Sequence, residues 1–139
     1  MLHAIALVLY SVVCALLLAF GLVYLLRGRA MPYHVEAMGC AWGEVPARIQ
    51  SVVMVLLRVA GASYLSLAVV MGWLLALGVA RGLAWANWAL LTAGLVLLVP
   101  LNAVVVGLRL RTGAKTPVAG TAGGLVMLLL AFGCQWLGG

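Results

Sequence analysis

Four apolar stretches, each long enough to cross a bilayer, are separated by three connectors that hold nearly all the charge of this chain. The runs are Leu2–Leu26, Val59–Ala80, Ala84–Leu108 and Val118–Leu137. A helix of about 20 apolar residues spans a hydrocarbon core of about 30 Å, so four such runs call for four crossings. The same pattern excludes a soluble domain, because 7% of the residues are charged and 68% hydrophobic, where about 25% charged is usual. The expected fold is an all-α membrane protein, a four-transmembrane-helix antiparallel bundle with residues 1–139 as its single domain.

The basic residues give that bundle an orientation. Arg27, Arg29 and Arg48 flank the first connector and Arg109, Arg111 and Lys115 belong to the third, while only Arg81 marks the second. Connectors rich in Lys and Arg stay on the cytoplasmic side, so both termini are expected outside, in a multi-pass protein of the cell inner membrane. Trp85, Trp88 and Trp136 then fall near the outer boundary and Tyr24 near the inner one, where amphipathic rings prefer to sit. The net charge of +6 follows from this retention and does not call for nucleic acid. The partners to expect are the bilayer and anionic headgroups at the cytoplasmic face. The first run has no basic residue ahead of it and outlasts a signal-peptide core, so it reads as an uncleaved anchor.

The second span is preceded by further apolar sequence. As one helix, Ile49–Ala80 would be about 48 Å long, more than one straight crossing needs. Arg58 interrupts it and is expected at the cytoplasmic boundary, with a helical extension from Pro46 lying on or rising from the surface. A guanidinium at the centre of a membrane helix costs about 2.5–3.5 kcal/mol, so Arg58 calls for partners. It lies about 33 Å from the outer end of its span and Asn102 about 27 Å down the next one. Pro100 frees a backbone carbonyl in the same region. Arg58, Asn102 and Tyr64 are therefore the candidate residues for a ligand or a lipid headgroup. Arg48, Ser51, Arg58, Ala62 and Ser66 share a sector of about 80° and are expected to turn inward. Gly120 and Gly124, spaced as GxxxG, are the candidates for close helix packing.

The connector 27–47 carries Pro32, Pro46, Gly28, Gly39 and Gly43, as well as both acidic residues. It is expected to fold back with Glu36 and Glu44 paired to Arg27, Arg29 or Arg48. His34 and Glu36 are its candidate acid–base residues, without a recognisable nucleophile or oxyanion donors beside them. Adding Cys40 and Glu44 produces no spacing typical of a metal site, and neither metal nor cofactor is expected. Cys14, Cys40 and Cys134 show no paired spacing that would make a disulfide framework.

The segment Arg58-Val-Ala-Gly-Ala-Ser-Tyr-Leu-Ser-Leu-Ala68, an arginine three residues before a glycine at the head of a small-residue-rich span, resembles the DoxX-like group of small four-helix bacterial membrane proteins. Gly61 matches the usual glycine, and Ala68 stands where a second glycine is often found. The resemblance implies a compact four-helix bundle and brings no catalytic residue with it.

Absent residues narrow the function. No Asp or Glu lies within a span, which argues against a carboxylate-coupled ion transporter. His3 and His34 fall on opposite sides and cannot jointly ligate a haem between the helices. The leading expectation is a non-enzymatic accessory or scaffold subunit, recognised by a membrane protein partner or by a second copy. A binding or transport module for an amphipathic or anionic molecule or lipid, using an inner-leaflet pocket near Arg58 and Asn102, is the alternative. A membrane-surface enzyme using His34 and Glu36 is the third.

Overall fold

A computed structural model describes residues 1–138. Among the described residues five helices follow one another: α1 (Leu2–Leu26), α2 (Pro32–Met38), α3 (Ala47–Leu77), α4 (Ala84–Thr112) and α5 (Val118–Gly138). Short 3-10 turns at Trp42–Glu44 and Val79–Arg81 complete the regular structure. The four long helices are long and apolar enough to cross a membrane.

Local chemistry sets the helix ends. Pro32 opens α2, where its missing N–H has no intrahelical partner to lose, and Gly39 closes it at φ +69°. The connector 27–47 therefore contains an ordered helix. Helix α3 runs unbroken from Ala47 through Arg58 to Leu77, so the extension and the second span are one element. Helix α4 continues past Leu108, the expected end of the third span, to Thr112 and stops at Gly113, φ +73°. Arg109 and Arg111 thus sit in its last turn rather than in a loop. Cations at a helix C-terminus are favoured by the peptide dipoles, which is why the charged residues extend the helix.

Packing is organised around α1, which meets α3 most extensively and then α5. Glycine decides the α1–α3 contact. A Cβ on Gly61 would lie 2.8 Å from both the Gly21 carbonyl oxygen and the Leu25 nitrogen. Between α4 and α5, Leu128 fills the space over Gly94, where a Cβ would come within 2.5 Å of its Cδ2. Tyr10, Met71, Leu90 and Leu128 are the largest fully buried side chains of the core.

Two ends can be distinguished. At the terminal end, the Gly138 backbone packs on Leu2, and His3 Nδ1 is 2.8 Å from Gln135 Oε1. Trp88, Phe132 and Trp136 cluster there with ring centroids 4.8 to 6.2 Å apart. One turn or more inward, the Tyr10 hydroxyl donates to Asn87 Oδ1 at 2.6 Å, and both residues are buried. At the connector end, the Lys115 N–H donates to Glu36 Oε2 at 2.9 Å, and Thr116 Oγ1 donates to the Val105 carbonyl at 3.1 Å. Gln50 Nε2 donates to the carbonyls of Trp42 and Val45, tying the connector to α3.

Two expectations are corrected. The glutamates do not spend their carboxylates on arginine: Glu36 takes the Lys115 N–H, and Glu44 Oε2 takes the Ala41 N–H at 3.0 Å to cap its own turn. The stripe of Arg48, Ser51, Arg58, Ala62 and Ser66 does not turn inward, for all five are exposed. Gly61, Ala68 and Met71 form the buried line of α3 instead. In lipid, close packing selects small backbones and fitted apolar side chains, and polarity alone does not choose the inward face.

Candidate functional site

Helices α1 and α5 meet at the terminal end and leave a cleft toward the connector end. Val13, Leu16, Leu17 and Phe20 of α1 form one wall; Pro117, Gly120, Thr121 and Gly124 form the other. Leu98, Leu101 and Val105 of α4 supply the floor. Tyr24, Tyr33 and Tyr64, from α1, α2 and α3, close the connector end. The cleft is a partly open cavity of about 60 Å³.

The glycines of α5 keep the cleft open. A Cβ on Gly120 would meet nothing within 4 Å, and one on Gly124 would meet only Leu98 Cδ2 at 3.8 Å. The GxxxG spacing predicts close helix packing; within this chain it lines a gap. A tight contact between small residues joins Gly21 to Gly61 instead.

A polar cluster sits at the connector end. The Tyr24 and Tyr33 hydroxyls hydrogen-bond each other. Tyr64 packs edge-on against Tyr24, with centroids 5.9 Å apart, and the His34 ring lies 4.2 Å from that of Tyr33. Burial pushes the Tyr33 phenol above its usual range, with the bond from Tyr24 opposing the shift, and pushes the His34 imidazole below its own. The phenol is neutral at pH 7 with or without that shift, and the lowered imidazole favours its neutral form there. Further along the wall, Thr121 Oγ1 donates to Asn102 Oδ1 at 2.9 Å, while Asn102 Nδ2 donates to the carbonyls of Leu98 and Thr121. This reciprocal pair satisfies polar groups that hydrocarbon leaves without partners.

The sequence candidates are thus partly brought together. Tyr64, Gly120 and Gly124 line the cleft, and Asn102 supports its wall through Thr121. Arg58 does not join them: it is exposed on the outer face of α3, and the side chain bonded to Asn102 is Thr121. His34 and Glu36 are also separated in role. His34 is the polar side chain of a broader depression of about 360 Å³ formed with Met38, Val53, Leu56 and Leu108, whereas Glu36 caps the Lys115 N–H. Residues two apart on a helix point in different directions, so α2 does not make them an acid–base pair.

Sequence reasoning missed Tyr24, Tyr33 and Thr121 as site residues. Tyr24 carried a signal in its interfacial position, but its pairing with Tyr33 depends on α2 folding back, which no periodicity in so short a segment announces. No protein-family model, no curated protein and no solved structure matches this chain.

Proposed function

We propose that this chain is a non-enzymatic, four-pass protein of the inner membrane, an antiparallel bundle with both termini outside, that binds a lipidic molecule in the cleft between α1 and α5. The ligand's chain lies along Leu16, Leu17, Phe20 and Gly120, and its head lies by the tyrosines. The observation that carries this reading is the open glycine wall, a gap at Gly120 and Gly124 that ends in hydroxyl groups.

The medium makes that placement functional. A hydrocarbon chain already dissolved in lipid gains little from leaving water, so apolar area alone does not hold it in a protein cleft. Retention comes from fit against the wall and from hydrogen bonds made where the dielectric is low. A cleft that joins a small apolar groove to a cluster of neutral hydroxyls supplies both. The basic residues placed at the same end draw anionic headgroups to the surrounding surface.

Lipid analysis of the protein purified in mild detergent tests the reading. A defined lipid co-purifies with the native chain and is lost from Gly120→Leu, whose side chain fills the gap. Equal lipid content in the two proteins contradicts it.

An accessory-subunit role is the second reading, favoured by the exposed Arg58, Ala62 and Ser66 on α3. Under it, Arg58→Ala releases a partner that otherwise co-purifies. Under the cleft reading, Arg58→Ala leaves bound lipid unchanged.

A further inference from the structure

The lining of the cleft specifies the head of its occupant, an inference that rests on reading the cleft as a lipid site. None of the eight Lys and Arg residues lines it, and neither does Glu36 or Glu44. Arg29, Arg48, Arg58, Arg109, Arg111 and Lys115 are exposed, and Arg27, half-buried, stands outside the lining as well. A phosphate or carboxylate in the cleft would therefore meet no counter-charge from the lining, an arrangement disfavoured where the dielectric is low.

The polar groups that do reach the cleft are hydroxyls. The single O–H of Thr121 is shared between Asn102 Oδ1 and the Val118 carbonyl, which leaves Thr121 no hydrogen to donate to a ligand. Tyr24 and Tyr33 share one hydrogen in their mutual bond, which leaves the pair one O–H to donate and lone pairs to accept. The Tyr64 hydroxyl takes no part in that bond. The cluster is thus both donor and acceptor, the complement of an uncharged head that carries hydroxyl groups. The small volume of the cleft, about 60 Å³, favours one acyl chain over two.

We infer that the cleft selects a neutral single-chain lipid with a hydroxyl-bearing head, held at Tyr24, Tyr33 and Tyr64, with its tail running toward Val13. Anionic lipids stay outside, at the exposed arginines. Charge is thereby sorted by position: basic residues ring the connector end and none enters the groove.

A competition assay with the purified full chain in neutral detergent decides this. The probes are a radiolabelled monoacylglycerol and the corresponding monoacylglycerol phosphate with the same acyl chain, which differ only in charge and the added phosphate. The native chain retains the monoacylglycerol at least about ten-fold more tightly, a difference of about 1.4 kcal/mol. Tyr24→Phe with Tyr33→Phe weakens its binding by about five- to ten-fold. Tyr64→Phe, which breaks no bond between Tyr24 and Tyr33, weakens it in the same direction. Gly120→Leu abolishes it. Equal retention of the two probes, or preference for the phosphate, with both blocked by Gly120→Leu, overturns the inference about the head and leaves the cleft reading standing. Binding of both probes that Gly120→Leu leaves unchanged overturns the cleft reading itself.

Discussion

Gly21 and Gly61 touch through their backbones: a Cβ on Gly61 would lie 2.8 Å from the Gly21 carbonyl oxygen, and one on Gly21 would lie 3.0 Å from that of Gly61. This reciprocal contact sets the spacing of α1 and α3, and with it the positions of Tyr24 and Tyr64 at the closed end of the cleft.

Gly61→Ala pushes a methyl into backbone, which cannot yield as a side chain does, and destabilises the protein by about 1–3 kcal/mol. Gly72→Ala is the control, since nothing lies within 4 Å of that position; it is neutral or stabilising by up to about 1 kcal/mol through helix propensity. Thermal unfolding in detergent followed by helical circular dichroism distinguishes the two. Equal melting temperatures for the variants contradict the packing.

The bond from Tyr10 to Asn87 at 2.6 Å joins α1 to α4 in the buried interior. Tyr10→Phe keeps the ring and leaves Asn87 Oδ1 without that donor, at an expected cost of about 0.6 kcal/mol, the usual value for such bonds between membrane helices, and no more than about 1.7 kcal/mol. A double-mutant cycle with Asn87→Ala recovers that energy as coupling. Additive losses would show that the two groups do not interact in the membrane.

Acid weakens the connector end through His34. Burial holds its folded pKa below the usual 6.5, so in the descent from neutral pH the unfolded chain takes up a proton before the folded one does. Stability from this group is intact above about pH 7 and is lost as the pH falls through 6.5 toward the lowered folded value. His34→Gln flattens that part of the stability profile. Melting curves of native and variant protein from about pH 7.5 to about pH 5 check the sign; parallel profiles contradict it.

Sidedness is tested by thiol labelling. On a background lacking Cys14 and Cys134, a membrane-impermeant maleimide modifies Cys40 from the cytoplasmic side alone. Modification from outside reverses the orientation.

The sequence made the four long apolar helices legible because hydropathy measures transfer from water to lipid, the step that decides whether a segment enters the membrane. It did not reveal which face of each helix meets another, because lipid and helix surface are similarly apolar and the choice falls to shape. Arg58 illustrates the limit. Helical rise puts it within about one turn of Asn102, yet it is exposed while Asn102 bonds Thr121 across 19 positions of sequence. Gly120 and Gly124 show another side of it: the motif pointed to the right place on α5, but a missing side chain permits either a close helix or an empty groove. The tyrosine cluster was hidden for a different reason, since it draws on α1, α2 and α3 and exists only once α2 has folded over the ends of the long helices.

Photocrosslinking in membranes shows whether a lipid chain occupies the α1–α5 cleft. A monoacylglycerol bearing a diazirine midway along its acyl chain, incubated with the native protein and mapped by peptide mass spectrometry, is predicted to label Leu16, Phe20 and the stretch around Gly120, with labelling suppressed in Gly120→Leu. Labelling spread evenly over outward positions such as Val8, Val69 and Val96, with no excess at the cleft, would contradict the account.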